Sequence, residues 1–257
     1  MKWNIPKPPS TLDAVARKQY WEKTHADEYG STVWSMTEDP DVQDKICTEV
    51  AQIRAKDLWI PGCGSRVCLQ NAIAGALGDA RILCTDYPGV VDIAMRAKNA
   101  PQIRYEALDT ANSAFDNQFD AVIVVNSILS EDDEENRRML AACRQALRPG
   151  GKMLGFFPTV FATLDIASIE RDSDRAGLVD LATSSLYEEK QGVRQIFYTP
   201  LRLRLVLREA GFGIDRMEVF FCDSAWFLEQ SRIHYGLQDP DCVIYEHFVS
   251  ATSSVSD

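Results

Sequence analysis

The 257-residue sequence predicts an α/β fold built on a doubly wound, seven-stranded, mostly parallel sheet. Short apolar runs alternate with stretches of helical periodicity from residue 58 onward, which is the pattern of repeated strand–helix units. The run at 119–125 is almost wholly apolar, as is typical of a strand that helices cover on both faces. Glycine-bearing turns follow the first run, at 62–64, and precede a later one, at 150–151.

Strands and helices are predicted in alternation along this region. The first strand ends at the turn of 61–64, and the second ends at Asp86. The predicted strands cover 58–60, 81–85, 103–108, 119–125, 152–157, 217–222 and 242–249. The predicted helices cover 67–77, 93–98, 130–147 and 199–210. This order favours a parallel sheet whose crossover connections are helices.

The last two predicted helices carry end signals. Ser130 is the expected N-cap of the helix at 130–147, because the acidic run at 131–135 then fills the first turn, where the helix dipole favours negative charge. Thr199 is the expected N-cap of the next helix, with Pro200 at its first position and Gly211 after its end. Consecutive helical carboxylates fan out, so we expect the acidic run to be a solvated turn and no metal site.

Two segments depart from the strand–helix rhythm. Residues 1–50 are polar and helical with interspersed aromatic residues, which predicts an N-terminal helical cap or lid on a main domain at 51–257. Residues 158–198 are mixed in character and contain no clean strand pattern. We interpret them as an inserted helical segment that covers the substrate.

Composition excludes several classes of function. The formal net charge is −11 without a basic stripe, which repels phosphate backbones and makes nucleic acid an unsuitable partner. The first ten residues lack the apolar core of a secretory signal, and the longest apolar runs are strand-sized, so no membrane segment is expected. Seven cysteines without a CxxC pair indicate reduced thiols and a cytoplasmic location.

Small and polar residues cluster where the predicted parallel strands end, at the edge where open α/β sheets bind ligands. Glycines in the first turn let a ligand approach the backbone, and the carboxylate at the end of the second strand is placed to accept the two hydroxyls of a ribose. The candidate cofactor-binding residues are Gly62, Cys63, Gly64, Asp86, Tyr87, Asp109, Thr110, Asn126 and Ser127.

These residues resemble the class I S-adenosylmethionine (SAM)-dependent methyltransferase domain over residues 57–249. The LRPGG run at 147–151 and the LREAGF run at 207–212 resemble the turns before that family's fifth and sixth strands. The IPGCG run at 60–64 is similar to the VPGCG of thiol, thiopurine and halide methyltransferases, although Ile60 replaces the usual acid and Arg66 the third glycine.

The resemblance implies SAM as cofactor and a role for each candidate position. Residues 62–64 would contact the methionine part and Asp86 would bind the ribose. Asp109 and Thr110 would border the adenine, while Asn126 and Ser127 would lie near the sulfonium and the transferred methyl.

Catalytic and substrate residues are assigned from position alone. Trp21, His25 and Tyr29 are spaced four residues apart, which would place them on one face of a helix. The candidate bases are His25 and His234, the latter in a loop between the last two strands, whereas His247 is expected to be structural. The candidate substrate contacts are Tyr20, Trp21, Tyr29, Phe157 and Tyr198.

The expected function is transfer of a methyl group from SAM to an oxygen or nitrogen of a small apolar or aromatic metabolite, in specialised metabolism. C- or S-methylation and a non-catalytic SAM-binding module stay open. A nicotinamide-dependent dehydrogenase is disfavoured, because the GxGxxG pattern is incomplete at Arg66. The sequence does not reveal the oligomeric state, and a homodimer stays open.

Overall fold

A seven-stranded sheet lies at the centre of the protein in a computed structural model that describes residues 14–28, 35–188, 193–236 and 243–253. The strands are β1 (Asp57–Pro61), β2 (Arg81–Asp86), β3 (Ile103–Ala107), β4 (Phe119–Val125), β5 (Leu147–Pro158), β6 (Val179–Asp180), β7 (Ser185–Glu188), β8 (Val193–Ile196), β9 (Phe212–Cys222) and β10 (Ile244–Ser253). The α-helices are α1 (Ala14–Lys23), α2 (Pro40–Gln52), α3 (Cys68–Leu77), α4 (Pro88–Arg96), α5 (Asp133–Ala146), α6 (Val160–Glu170), α7 (Ser173–Gly177), α8 (Pro200–Glu209) and α9 (Ala225–Tyr235).

The central sheet has the strand order β3-β2-β1-β4-β5-β10-β9. Neighbours from β3 to β5 pair in parallel, and β10 is antiparallel to both β5 and β9. The strand order reverses between β1 and β4, which is the position where doubly wound sheets bind ligands. The predicted fold class is confirmed, and β4 has the predicted bounds.

Two hydrophobic layers cover the two faces of this sheet. Leu58 and Ile60 belong to one layer and Trp59 to the other, because successive side chains of a strand point to opposite faces. Helices α2 and α3 pack on the first face, while α5 and α8 pack on the second. The part of the N-terminal region that forms α2 is thus built into the core, with Val42, Ile46 and Val50 fully buried.

The acidic run is not a solvated turn, and its cap lies two residues later than predicted. Asp132 is the N-cap of α5 and accepts a hydrogen bond from the Glu134 amide at 3.1 Å. Glu131 and Asp133 are buried, and each is paired with an arginine from another segment. These long-range pairs are invisible in a local pattern. Among the described residues, no group of three or more His, Cys, Asp or Glu side chains is arranged to hold a metal ion.

The segment at 158–198 is only partly helical, which corrects the prediction of a helical insertion. It holds α6 and α7, followed by an antiparallel sheet of β6, β7 and β8. These strands are two to four residues long, too short to give a clear alternating pattern in the sequence. The next helix, α8, begins as predicted, with the Thr199 side chain accepting from the Arg202 amide at 3.3 Å.

None of the helices in the described parts of the chain combines the length and apolar character needed to cross a bilayer.

Candidate functional site

The turn after β1 brings two glycines to the edge of the sheet. Gly62 and Gly64 have φ values of +59° and +68°, a region that glycine adopts without strain. A Cβ atom on Gly62 would lie 2.5 Å from the Cβ of Ser127, which follows β4. The glycine therefore allows the ends of β1 and β4 to approach closely, and the backbone of this turn stays open towards the cavity.

Asp86, at the end of β2, holds this turn from the side. Its Oδ2 accepts from the Gly64 amide at 2.8 Å, and its Oδ1 accepts from the Tyr87 amide at 2.7 Å. Burial raises the pKa of Asp86 to about 6, although these two donors act in the opposite direction. Each oxygen keeps capacity for a further donor, which fits a pair of ligand hydroxyls.

A cavity of about 700 Å³ opens above these residues. All nine candidate cofactor residues line it: Gly62, Cys63, Gly64, Asp86, Tyr87, Asp109, Thr110, Asn126 and Ser127. Asp109 also caps a short 3₁₀ helix, Thr110–Asn112, by accepting from the Ala111 amide at 3.0 Å. We call residues 62–64, Asp86, Asn126 and Ser127 the cofactor rim. Its glycine cradle and its carboxylate fit the methionine and ribose parts of SAM.

The N-terminal segment forms part of the opposite wall. Trp21 and His25 line the cavity, while Tyr20 packs edge-on against Trp21 at 5.1 Å between ring centroids and does not line it. The chain changes from α1 to a π-helix at Thr24–Glu28, so the simple four-residue spacing does not continue. Tyr29 lies outside the described residues.

His25 is fixed beside the glycine turn. Its Nδ1 shares a hydrogen bond of 2.9 Å with Ser65 Oγ, and its ring would meet a Cβ on Gly64 at 3.5 Å. Burial, and secondarily the charge of Arg66, lowers the pKa of His25 to about 4. The imidazole is therefore neutral at pH 7 and a weak base. Its role as a general base stays a prediction.

This segment is anchored to the main domain at two points. Arg17 pairs with Glu131 at 3.5 Å and with Glu135 at 3.0 Å, which ties α1 to the start of α5. Glu22 accepts from the Gly89 amide at 3.2 Å, at the start of α4. The anchors lie on or just before α5 and at the start of α4, the helices that come next in the chain after β4 and β2, whose ends carry cofactor-rim residues.

Residues after β5 complete the wall. Residues 178–187 and 193–197 supply apolar side chains from the small sheet and its surroundings, and Phe227 comes from α9. We call the following set the lid wall: Trp21, His25, Ile166, Leu178, Leu186, Phe197 and Phe227.

Phe157 and Tyr198 are core residues, which corrects their assignment as substrate contacts. They are 1% and 0% exposed, and their rings meet edge-on at 5.6 Å. The Tyr198 hydroxyl donates to the Ile128 carbonyl at 2.9 Å. The adjacent Pro158 and Phe197 line the cavity instead. In extended chain a shift of one residue moves a side chain to the other face, and the sequence did not show which face was inward.

The other two histidines differ in what the structure shows. His234 lies on α9 and not in a loop, and its side chain is outside the described part. His247 is buried on β10, where burial lowers its pKa, as expected for a structural residue.

The carboxyl group of Glu246 belongs to the site but was not predicted from the sequence. Glu246, on β10, lines the cavity, and its Oε1 accepts from Asn126 Nδ2 at 2.8 Å. The predicted site comprised the carboxyl ends of parallel strands, whereas β10 is antiparallel and brings its amino end to the same edge. The only available signal was an acid among apolar residues near the start of a predicted last strand.

Comparison with known proteins agrees with this geometry. Residues 61–151 match a family model described as a methyltransferase domain. A search of curated proteins gave no significant match.

Solved structures with a similar fold include three methyltransferases. Magnesium protoporphyrin IX methyltransferase from Synechocystis PCC 6803, with bound S-adenosylhomocysteine (SAH), has a TM-score of 0.62 and 16% identity over 93% of this chain and 99% of its own. A SAM-dependent methyltransferase from Methanosarcina mazei has a TM-score of 0.57 and 15% identity over 82% and 98%. Human N-acetylserotonin methyltransferase, in complex with SAM, has a TM-score of 0.53 and 18% identity. The match covers 83% of this chain and 52% of the human protein, so this chain spans about half of its length. At these identities the likeness concerns the fold.

Proposed function

We propose that the chain is a SAM-dependent methyltransferase that methylates an oxygen or nitrogen atom of a small apolar or aromatic metabolite. The match of residues 61–151 to a methyltransferase domain and the fold shared with methyltransferases of known structure support this proposal. One observation carries this proposal: a single cavity joins the glycine turn and Asp86 to a wall of apolar and aromatic side chains. Its volume of about 700 Å³ lies within the range of small-molecule sites.

The cofactor rim would hold the cofactor as follows. Residues 62–64 would contact its methionine part, and Asp86 would accept hydrogen bonds from its ribose. Asn126 and Ser127 would lie near its sulfonium, while Asp109 and Thr110, beside the cofactor rim, would border its adenine. When bound, the cofactor supplies an activated methyl group, so the protein mainly aligns the acceptor and excludes water.

The lid wall would hold the acceptor. The described residues 14–28, 35–37, 158–188 and 193–198 would form the cover, and the apolar side chains that they contribute to the cavity favour a metabolite over a charged polymer. The apolar lining supports an apolar or aromatic small molecule, and the net charge of −11 disfavours polyanions, so no nucleic acid or membrane partner is proposed. A cytoplasmic location and a role in specialised metabolism belong to the same proposal.

Calorimetric titration with SAM and with SAH tests the cofactor part. We expect micromolar binding of both by the wild type, at least tenfold weaker binding by D86A, and unchanged binding by D92A, whose carboxylate is exposed on α4. Absence of binding by the wild type would refute the proposal. Incubation with methyl-labelled SAM and a panel of phenols, indoles and aromatic amines then tests the acceptor part, and label transfer only to thiols or carbon atoms would contradict it.

A further inference from the structure

A buried carboxyl at the cavity wall is not explained by cofactor binding. Glu246 is 4% exposed, and its Oε1 is fixed by Asn126 Nδ2. Its Oε2 has no hydrogen-bond partner among the described residues. An unpaired buried carboxyl oxygen costs free energy, so this atom needs a partner that the described side chains do not supply. Because the residue lines the cavity, a ligand hydrogen is the partner that fits.

The position of Glu246 is set by strand direction. In the register of the sheet it lies opposite Pro158, the last residue of β5, and therefore at the carboxyl edge of the parallel strands. Asn126 follows β4 directly and precedes Ser127, which abuts Gly62. The carboxyl of Glu246 is thus hydrogen-bonded to Asn126, and the next residue, Ser127, is the one that packs against Gly62.

Glu246 forms no ion pair in the described structure. Its register partners are Pro158 on β5 and Phe220 on β9, neither of which titrates. On β9, the charge of Glu246 contributes to the raised pKa of the Cys222 thiol. On α6, the nearby charged group is Asp165, whose carboxylate accepts a hydrogen bond from the Tyr245 hydroxyl at 2.6 Å. Burial raises the pKa of Glu246 to about 8, and the Asn126 hydrogen bond offsets only part of that effect.

We propose that Glu246 Oε2 binds the hydrogen on the attacking atom of the methyl acceptor and takes it as a proton, an inference that rests on the proposed function. The acceptor is therefore a hydroxyl compound or an amine that carries a hydrogen on the atom to be methylated. An acceptor without such a hydrogen, such as a tertiary amine, leaves Oε2 unpaired and is disfavoured.

The transfer balances in atoms and charge. The lone pair of the acceptor oxygen or nitrogen forms the new bond to the methyl carbon, and the carbon–sulfur bond breaks with its electron pair left on sulfur. The acceptor hydrogen passes to Oε2 as a proton, and the carboxylate becomes a carboxylic acid. The positive charge of the sulfonium and the negative charge of the carboxylate are both neutralised.

The charge of the cofactor also sets when Glu246 is a base. A nearby sulfonium favours the ionised carboxyl, so the pKa of Glu246 falls when SAM is bound. After methyl transfer the sulfur is neutral, and the carboxyl again holds a proton firmly. SAM and SAH differ in this charge, which makes the coupling measurable without knowledge of the acceptor.

Proton release on binding, measured by calorimetry in buffers of different ionisation enthalpy at pH 8, tests the position of Glu246. We expect the wild type to release more protons with SAM than with SAH, because the sulfonium favours the ionised carboxyl. E246Q should lose the difference in proton release between SAM and SAH. D165N, which neutralises an exposed carboxylate near Glu246, should keep that difference. Any proton lost by Asp86 on ribose binding is common to both ligands and cancels.

Equal proton release by the wild type for SAM and SAH would overturn the inference, as would a difference that persists in E246Q. Failure of the proposed function is distinguishable, because then neither ligand binds. Should E246Q not fold, infrared spectra of wild-type protein labelled with ¹³C-glutamate give the answer. The carbonyl band of a protonated glutamate should weaken with SAM relative to SAH, and an unchanged band would contradict the inference.

The proton transfer itself is tested with any phenol or amine from the acceptor screen that is methylated. E246Q should lower kcat at least about 100-fold while SAH affinity changes less than about twofold, and D165N should keep wild-type kcat. An E246Q variant with wild-type kcat and an unchanged pH profile would show that Glu246 takes no proton.

Discussion

The cofactor rim and the lid wall face the same cavity but are stabilised by different kinds of interaction. In the cofactor rim, the backbone amides of Gly64 and Tyr87 bind the Asp86 carboxylate at 2.8 and 2.7 Å, and Gly62 leaves room for the end of a neighbouring strand. The lid wall consists of side chains from separate segments, and part of it is tied down by the ion pairs of Arg17. Under the proposed function, the backbone would set the geometry of the methyl donor, whereas side chains from separate segments would set the shape of the acceptor site.

Filling the space at Gly62 should cause the largest loss of SAH affinity at the cofactor rim. In G62A the new Cβ meets Ser127, so β4's end or the turn must shift, and SAH affinity should fall at least about 30-fold. G78A is the matched control, because Gly78 has φ +66° but open space around it. It should lose only about 1 kcal/mol of stability and keep its affinity in calorimetry. Equal affinity losses in both variants would mean that strain, not the close approach, matters.

Neutralising Asp86 should come next. D86N keeps the side-chain size but weakens the acceptors for the ribose and the turn, so the Kd for SAH should rise about tenfold or more. The pKa of about 6 adds a pH dependence. Hydroxyl donors favour the ionised form, so wild-type affinity should be full above pH 6 and decline as the pH falls below it. Titrations from pH 5 to 8 should show this decline only in the wild type, and the same decline in D86N would assign it to another group.

Breaking the anchor of α1 should have a moderate effect that is confined to the lid side. R17M removes both ion pairs but keeps most of the side-chain volume, and SAH should dissociate roughly three to ten times faster in stopped-flow experiments. The melting temperature should also fall, because R17M removes this cation from beside the buried carboxylate of Glu131. An unchanged dissociation rate would show that α1 does not restrain the ligand.

The smallest effect on ligand binding is expected at Tyr198. Y198F removes the hydroxyl that donates to Ile128, so chemical denaturation should show a loss of about 1 kcal/mol in the free energy of unfolding. Affinity for SAH and the KM for an acceptor should not change. A raised acceptor KM in Y198F, with stability unchanged, would reinstate Tyr198 as a substrate contact.

Most of the parallel core could be predicted, because each part of its pattern is local. A buried parallel strand such as β4 needs a continuous apolar run, and the turn after β1 needs glycine for its positive φ values. Elements were predicted less well where the strand was short or where the arrangement depends on contacts between distant segments. The strands β6–β8 are too brief for a period to emerge, and the inward face at 157–158 and 197–198 depends on a single-residue register.

The sequence by itself determined the doubly wound sheet, the glycine turn and the carboxylate of Asp86, since these follow from strand periodicity and from the backbone freedom of glycine. Only the tertiary structure decided that Glu131 and Asp133 pair with arginines, that Phe157 and Tyr198 face the core, and that Glu246 reaches the cavity. Those outcomes depend on which distant segments meet and on the antiparallel direction of β10. Neither is encoded within the few residues that a local pattern samples.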